Sequence, residues 1–310
     1  MRSGHTEPMP PDRGRTWVDR RATVTAPGAG ARPARWGGLG PFVTFIEVER
    51  PDGLVARYES RRQRKHVAAV SASVSTWWAP GARGWWIGIL FAAGSALFAV
   101  GALPGYAGAV GTRSDSITFF VGSVFFTAAA FLQYRESVDA GTGGGVGAGT
   151  ASGGTPHGWG RVLVFRPGQI DWLASAIQLV GTLYFNVSTA TAVRIDLSAH
   201  AAHQHVWRPD ALGSVCFLVA SALAWFEVCH GWAAWSPRSL AWWITVLNLV
   251  GSIAFGGSAV ASYVVPTTGQ IRNAELSNLG TFIGAVCFLT GAILLLPERT
   301  EAPVGPASSP

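Results

Sequence analysis

The chain has 310 residues, of which 49% are hydrophobic and only 13% charged, with a mean hydropathy of +0.29. A soluble domain carries about 25% charged residues, so composition excludes an ordinary soluble globular chain. The formal net charge of +6 is unevenly spread: residues 1–84 hold 14 of the 23 Lys and Arg, and long stretches after Trp85 carry no charge. Arg outnumbers Lys 22 to 1 amid abundant Ala, Gly and Pro, the usage of a GC-rich bacterial genome.

Residues 1–40 are rich in Pro, Gly and Arg without apolar periodicity, which predicts a disordered basic leader. A 41–66 segment follows, in which Val43–Val48 and Leu54–Tyr58 alternate around "RPDG" and predict a cytoplasmic β-hairpin at about 42–59. Its basic cluster, Arg61, Arg62, Arg64 and Lys65, lies close before the first apolar run. Anionic lipid headgroups attract such residues by about 1 kcal/mol each, so the expected partner is the membrane surface and not nucleic acid. The first apolar run begins only at Trp85, behind this basic stretch, so no secretory signal peptide is expected.

A helix crossing a ~30 Å hydrocarbon core needs about 20 mostly apolar residues. Six runs approach this length: Trp85–Leu103, Ile117–Tyr134, Trp172–Val193, Ala211–Cys229, Leu240–Val265 and Leu276–Leu296. The fourth is the weakest, because Glu227 interrupts it and must snorkel or face protein. The leader, the 135–171 connection, the 230–239 turn and the tail together hold 19 of the 23 Lys and Arg. Positive charge stays inside, which places both termini in the cytoplasm of a bacterial inner-membrane protein. Cys216, Cys229 and Cys287 show no C-x-x-C spacing and lie in or beside apolar runs, so they read as small buried hydrophobes and not as a disulfide framework.

The odd-numbered runs share the form W-x8-G-[ST]-x2-F: Trp85, Gly94 and Phe98, then Trp172, Gly181 and Phe185, then Trp242, Gly251 and Phe255. The even-numbered runs share "GSVFF", "GSVCF" and "GAVCF" at Gly122, Gly213 and Gly284, each fourteen residues before a glutamate: Glu136, Glu227 and Glu298. Alternation of two motifs along the chain predicts a triplicated two-helix unit. The expected domains are membrane hairpins at 85–137, 170–230 and 240–298, a Gly-rich linker at 138–169 and a disordered tail at 299–310. Glycine permits close helix approach, and a Phe one turn later fills the adjoining space. Each repeat Trp, at the cytoplasmic end of its helix, is expected at headgroup level. Every unit starts and ends on the same side, so the copies are parallel. The expected fold is an all-α integral membrane protein of six transmembrane helices as three parallel two-helix repeats, preceded by the small hairpin.

The pairing of "LFAAGSALF" with "TFFVGSVFF" resembles the YrhK-like bacterial membrane domain, a two-helix module with paired "GS" and "F" positions. The pairs "LVGTLYF" with "LGSVCF" and "LVGSIAF" with "IGAVCF" resemble it more loosely. That family has no established activity, so the resemblance implies architecture and no site residues.

Three sets of polar residues stand out. Gln178 and Asn248 occupy equivalent positions, three before the repeat Gly, with Phe91 in that place in the first unit. They serve either as interhelical hydrogen bonds or as the lining of a solute path. A carboxylate at a helix C-terminus opposes the macrodipole, so Glu136, Glu227 and Glu298 need partners. Arg135 and Arg299 adjoin two of them, and Arg238 or the 61–65 cluster is the expected partner of Glu227. The loop with His200, His203 and His205 has metal-ligand residue types, but H-x2-H-x-H needs a particular loop fold to converge, and no metal is expected. No Ser-His-Asp, Cys-His or H-E-x-x-H arrangement appears. The expectation is a non-enzymatic, cofactor-free membrane protein with a structural or interaction role, or else a small-solute or ion transporter with a cavity between the repeats.

Overall fold

The structure is a computed structural model and describes residues 32–49, 55–61, 77–140, 164–194 and 196–298. It is mostly helical. A small antiparallel sheet comprises β1 (Arg32–Leu39), β2 (Phe42–Glu49) and β3 (Val55–Glu59). The helices are α1 (Arg83–Gly101), α2 (Tyr106–Val110), α3 (Thr112–Ala140), α4 (Ile170–Ala192), α5 (Ala199–Ala202), α6 (Arg208–Cys229), α7 (Leu240–Ala261) and α8 (Ala274–Glu298). A π-helical turn, His203–Trp207, joins α5 to α6.

Among the described residues, five helical stretches are long and apolar enough to cross a membrane: α1, most of α3, α5 through α6, α7 and α8. The exception is α4, not the Glu227 helix that looked weakest in sequence. Its polar residues Gln178, Asn186 and Thr189 lower its apolarity, and all three are turned to α3, where they make side-chain hydrogen bonds.

The long helices pack in chain order around a closed ring, with α8 returning to α1. Within each hairpin the backbones meet at paired glycines. A Cβ added at Gly94 would lie 2.9 Å from the Gly122 carbonyl oxygen and 2.9 Å from the Phe126 ring. At Gly181 it would lie 2.9 Å from Phe217, and at Gly251 3.1 Å from both Phe288 and the Gly284 carbonyl. The same Gly-to-Gly and Gly-to-Phe contact therefore holds α1 to α3, α4 to α6 and α7 to α8.

The chain enters α1, α4 and α7 through the same turn. Backbone bonds Ala82 N–H to Ala79 O, Gln169 N–H to Arg166 O and Ser239 N–H to Ser236 O close it at 2.9 to 3.0 Å. Pro80, Pro167 and Pro237 occupy its second position, where their fixed φ suits a β-turn. An aromatic ring two residues before each proline stands edge-on to the repeat Trp: Trp78 on Trp85 at 5.2 Å, Phe165 on Trp172 at 5.5 Å and Trp235 on Trp242 at 5.0 Å. The headgroup role expected of Trp85, Trp172 and Trp242 is therefore corrected, because their rings are covered, at 6%, 7% and 5% exposure. Trp85 and Trp242 donate their indole N–H inward, to Trp77 O and Ala234 O. The exposed rings here are those before the turns, Trp78, Phe165 and Trp235, with Trp86 and Trp243.

The expected hairpin is present as β2–β3, with Phe45 opposite Glu59 and Glu49 opposite Val55; its "RPDG" turn lies outside the described residues. The disorder expected for all of 1–40 is corrected at 32–39, which pairs with β2 as β1, Trp36 opposite Ile46. Composition concealed this strand because neighbouring β2 supplies its hydrogen bonds, and Pro33 is tolerated at an irregularity near its start. The two-residue turn between β1 and β2 places Gly40 at φ 58, a conformation favouring glycine. The remaining leader, the run 62–65, the linker 141–163 and the tail from 299 lie outside the described residues.

Candidate functional site

Each long helix contributes one phenylalanine to a layer across the middle of the ring. Phe98, Phe126, Phe185, Phe217, Phe255 and Phe288 meet edge-on or tilted, with neighbouring centroids 5.2 to 6.2 Å apart. Aromatic pairs favour such geometries by about 0.5–1.5 kcal/mol each beyond burial. The rings leave a void of only about 10 Å³, at most one water. The bundle centre is filled at this level.

On the side of the layer that carries the sheet lies a larger cavity of about 80 Å³. Phe126, Phe217 and Phe288 bound it on the side of the layer, and its polar lining is Gln133, Glu136, Gln178, Ser221, Thr245 and Asn248, with Arg61 from the segment after the sheet. The candidates Gln178, Asn248 and Glu136 thus come together, from three different helices. Phe91, three residues before Gly94 as Gln178 is before Gly181, lines the same cavity. Gln133 donates its amide N–H to Gln178 Oε1 at 3.4 Å. Asn248 packs its Oδ1 over Gly291, whose added Cβ would lie 3.2 Å away. Gly94, Gly122, Gly181, Gly213, Gly251 and Gly284 do not reach the cavity; they set the helix spacing beneath it.

The three glutamates, alike in sequence, have three different surroundings. Glu227 is 2% exposed and accepts the Ser60 hydroxyl at 2.7 Å. It therefore faces protein, and the described partner is Ser60 and not Arg238. Glu298 accepts from Arg61 Nε at 2.7 Å, a pair with only 13% and 5% side-chain exposure; Arg299, the expected neighbour, lies outside the described residues. Arg135 turns away from Glu136 to Asp139, 3.6 Å distant, and Arg83 reaches the same carboxylate at 2.5 Å. Glu136 has no hydrogen bond or ion pair among the described residues and lines the cavity.

These contacts also attach the sheet to the bundle. Thr44 Oγ1 lies 2.8 Å from His230 Nδ1, Phe45 stands edge-on to the same imidazole at 5.0 Å, and Glu59 is 3.6 Å from its Nε2. With Ser60 on Glu227 and Arg61 on Glu298, the sheet and its following turn bridge the ends of α6 and α8. Arg61, assigned to lipid from the sequence, is occupied here by a protein carboxylate.

Between hairpins, α3 and α4 are joined by four side-chain pairs in antiparallel register: Ser137–Ser175 at 2.9 Å, Gln133–Gln178, Thr127–Asn186 at 2.8 Å and Ser123–Thr189 at 2.9 Å. The α6–α7 seam has a Ser221–Ser252 pair at 2.7 Å. Gln133, Ser221 and Thr245 were not singled out from the sequence. Gln133 could have been, since it lies one turn before Glu136 on the face of α3 that carries Gly122 and Phe126.

The outer histidines do not converge: His203 is buried and stacked on Trp207 at 4.9 Å, whereas His200 and His205 are exposed. All three cysteines are free; Cys229 is buried, but Cys216 and Cys287 are only half-buried, at the edges of the seams with Gly181 and Gly251. No protein-family model matches the chain, and neither a curated protein nor a solved structure is significantly similar to it.

Proposed function

We propose that the chain is a bacterial inner-membrane protein in which three parallel two-helix repeats close into a six-span bundle, and that it is a small-solute or ion transporter loading through its cytoplasmic end. The observation that carries this reading is the polar cavity bounded by Gln178, Asn248 and Glu136 and stopped by the phenylalanine layer. A purely structural bundle gains nothing from amides and a carboxylate around an open volume, since a polar group without partners is costly in a low-dielectric interior.

The repeat assignment draws on the recurring glycine seam, the shared Pro turn and the aromatic stacked on each repeat Trp. The resemblance of the hairpins to the YrhK-like module belongs with it. We count α4 as the sixth span because its polar side chains meet α3 and not lipid. The concentration of Lys and Arg at the sheet end assigns that end, and both termini, to the cytoplasm. Anionic headgroups are the partner we assign to the basic run after Arg61. The reading gives the chain recognition and no chemistry.

A structural or interaction role is the second reading, favoured by the six-ring layer that seals the centre. Proteoliposome flux against empty vesicles separates the two, using alkali cations, ammonium and small neutral solutes as probes. Flux above background for one probe class supports transport; a flat response from folded protein moves the assignment to the structural role. Thiol labelling tests the topology: Thr150→Cys and Trp235→Cys should react from the same side of the membrane, and opposite sides would overturn the parallel repeats.

A further inference from the structure

We infer that the cavity is a binding site for one compact monovalent cation, an alkali metal ion or ammonium, with Glu136 as its charged ligand; this rests on the solute-binding reading above and specifies its ligand. The argument begins with charge. Among the described residues, two ionic side chains line the cavity, Arg61 and Glu136. The guanidinium of Arg61 is already matched by Glu298, at 2.7 Å in a largely covered setting. The Glu136 carboxylate has no such match among the described residues, because its neighbour Arg135 is drawn to Asp139. Among the described residues, one carboxylate without a basic partner therefore faces the cavity, which suits a single positive charge better than two.

Its other donors are the amides of Gln133, Gln178 and Asn248 and the hydroxyls of Ser221 and Thr245. Carboxylate, amide and hydroxyl oxygens are hard donors, the set that takes alkali-type cations and not soft metals. The Gln133 N–H to Gln178 Oε1 contact leaves the Gln133 carbonyl oxygen available as a ligand. No group of three His, Cys, Asp or Glu is present among the described residues, so the donor set is unlike a transition-metal site.

Size agrees with such a ligand. A void of about 10–15 Å³ holds one water, so one of about 80 Å³ holds a compact ion with several waters. Position completes the case. Glu136 lies ten residues beyond Phe126 on α3, about 15 Å along the helix, which is half the thickness of a ~30 Å hydrocarbon core. A carboxylate there sits at the cytoplasmic mouth, above the amides that line the cavity.

The test is thermal unfolding of the full chain in lipid nanodiscs, in sodium, potassium or ammonium chloride against N-methyl-D-glucamine chloride at equal ionic strength. A cation too large for the cavity should leave the midpoint unchanged, whereas at least one compact cation should raise it saturably. Glu136→Gln should lower the apparent affinity by roughly tenfold or more, as expected for losing a bond to a charged group. Asn248→Leu, at a separate wall, should weaken the response as well and serves if Glu136→Gln fails to fold. Glu275→Gln, an exposed residue at the opposite end of the bundle, should respond like the parent. Equal midpoints in all salts would overturn the inference, and so would a response that survives both Glu136→Gln and Asn248→Leu. Neutral-solute flux without a cation response would overturn the cation assignment and leave the solute reading standing; absence of both would overturn the two together.

Discussion

Gly94→Ala tests how the hairpins are held. The added methyl would sit 2.9 Å from the Gly122 carbonyl oxygen and 2.9 Å from the Phe126 ring, with Phe125 Cβ at 3.3 Å. Ordinary contact begins near 3.4 Å, so α1 and α3 must separate by about 0.5 Å or Phe126 must tilt. A radial gap of that size forfeits about a quarter of each dispersion contact along the seam, and overpacking of this kind costs about 1–3 kcal/mol. Tilting Phe126 relieves nothing, since its ring is already edge-on to Phe91, Phe98, Phe217 and Phe288. We expect a loss of about 2 kcal/mol. Gly257→Ala on α7 is the control, because its methyl meets nothing within 4 Å; alanine's better helix propensity makes it neutral or stabilising by up to about 1 kcal/mol. Equilibrium unfolding in mixed micelles measures both. If the two variants agree to within about 0.5 kcal/mol, the ordinary scatter of surface changes, close glycine contact is not what fixes the helix spacing.

Phe126→Ala removes the ring that touches four others and joins the small void to the cavity; it should cost about 3–5 kcal/mol and make vesicles leaky to small ions, and a folded variant in tight vesicles would show that the layer is not the barrier. Arg61→Ala leaves Glu298 buried without its guanidinium, at a cost of roughly 3 kcal/mol, and frees the sheet; faster limited proteolysis within 32–61 is the readout, and an unchanged cleavage rate would refute the docking role. Asn186→Leu breaks one rung between α3 and α4 and should cost about 0.6 kcal/mol. Adding Thr127→Val should recover part of that loss, because both partners then become apolar; a larger loss in the double variant would refute the pairing.

The glycine seam was legible because its logic is local. Gly94 and Phe98 lie one turn apart on α1, as Gly122 and Phe126 do on α3, and a short connection brings the two helices together. The polar positions Gln178 and Asn248 were legible for the same reason, through their fixed offset from those glycines. Trp85, Trp172 and Trp242 misled, since a tryptophan at a helix end reads as an interfacial anchor until the ring before the turn is seen covering it. The signal for that was present: an aromatic residue and a proline recur seven and five residues before each of these tryptophans. Strand β1 was hidden because its sequence, RPARWGGL, has little intrinsic strand preference and depends on pairing with β2.

Helix identity, apolar length and the faces that approach within each hairpin follow from residues separated by a turn or two, so the linear chain carries them. The partners of the three glutamates do not. Glu136, Glu227 and Glu298 share one spacing, yet one faces a cavity, one accepts from Ser60 and one binds Arg61. Those differences arise where a segment more than 160 positions away folds over the ends of α6 and α8. Long-range closure of the ring and docking of the sheet bring these groups together, and no local periodicity encodes which side chain arrives first.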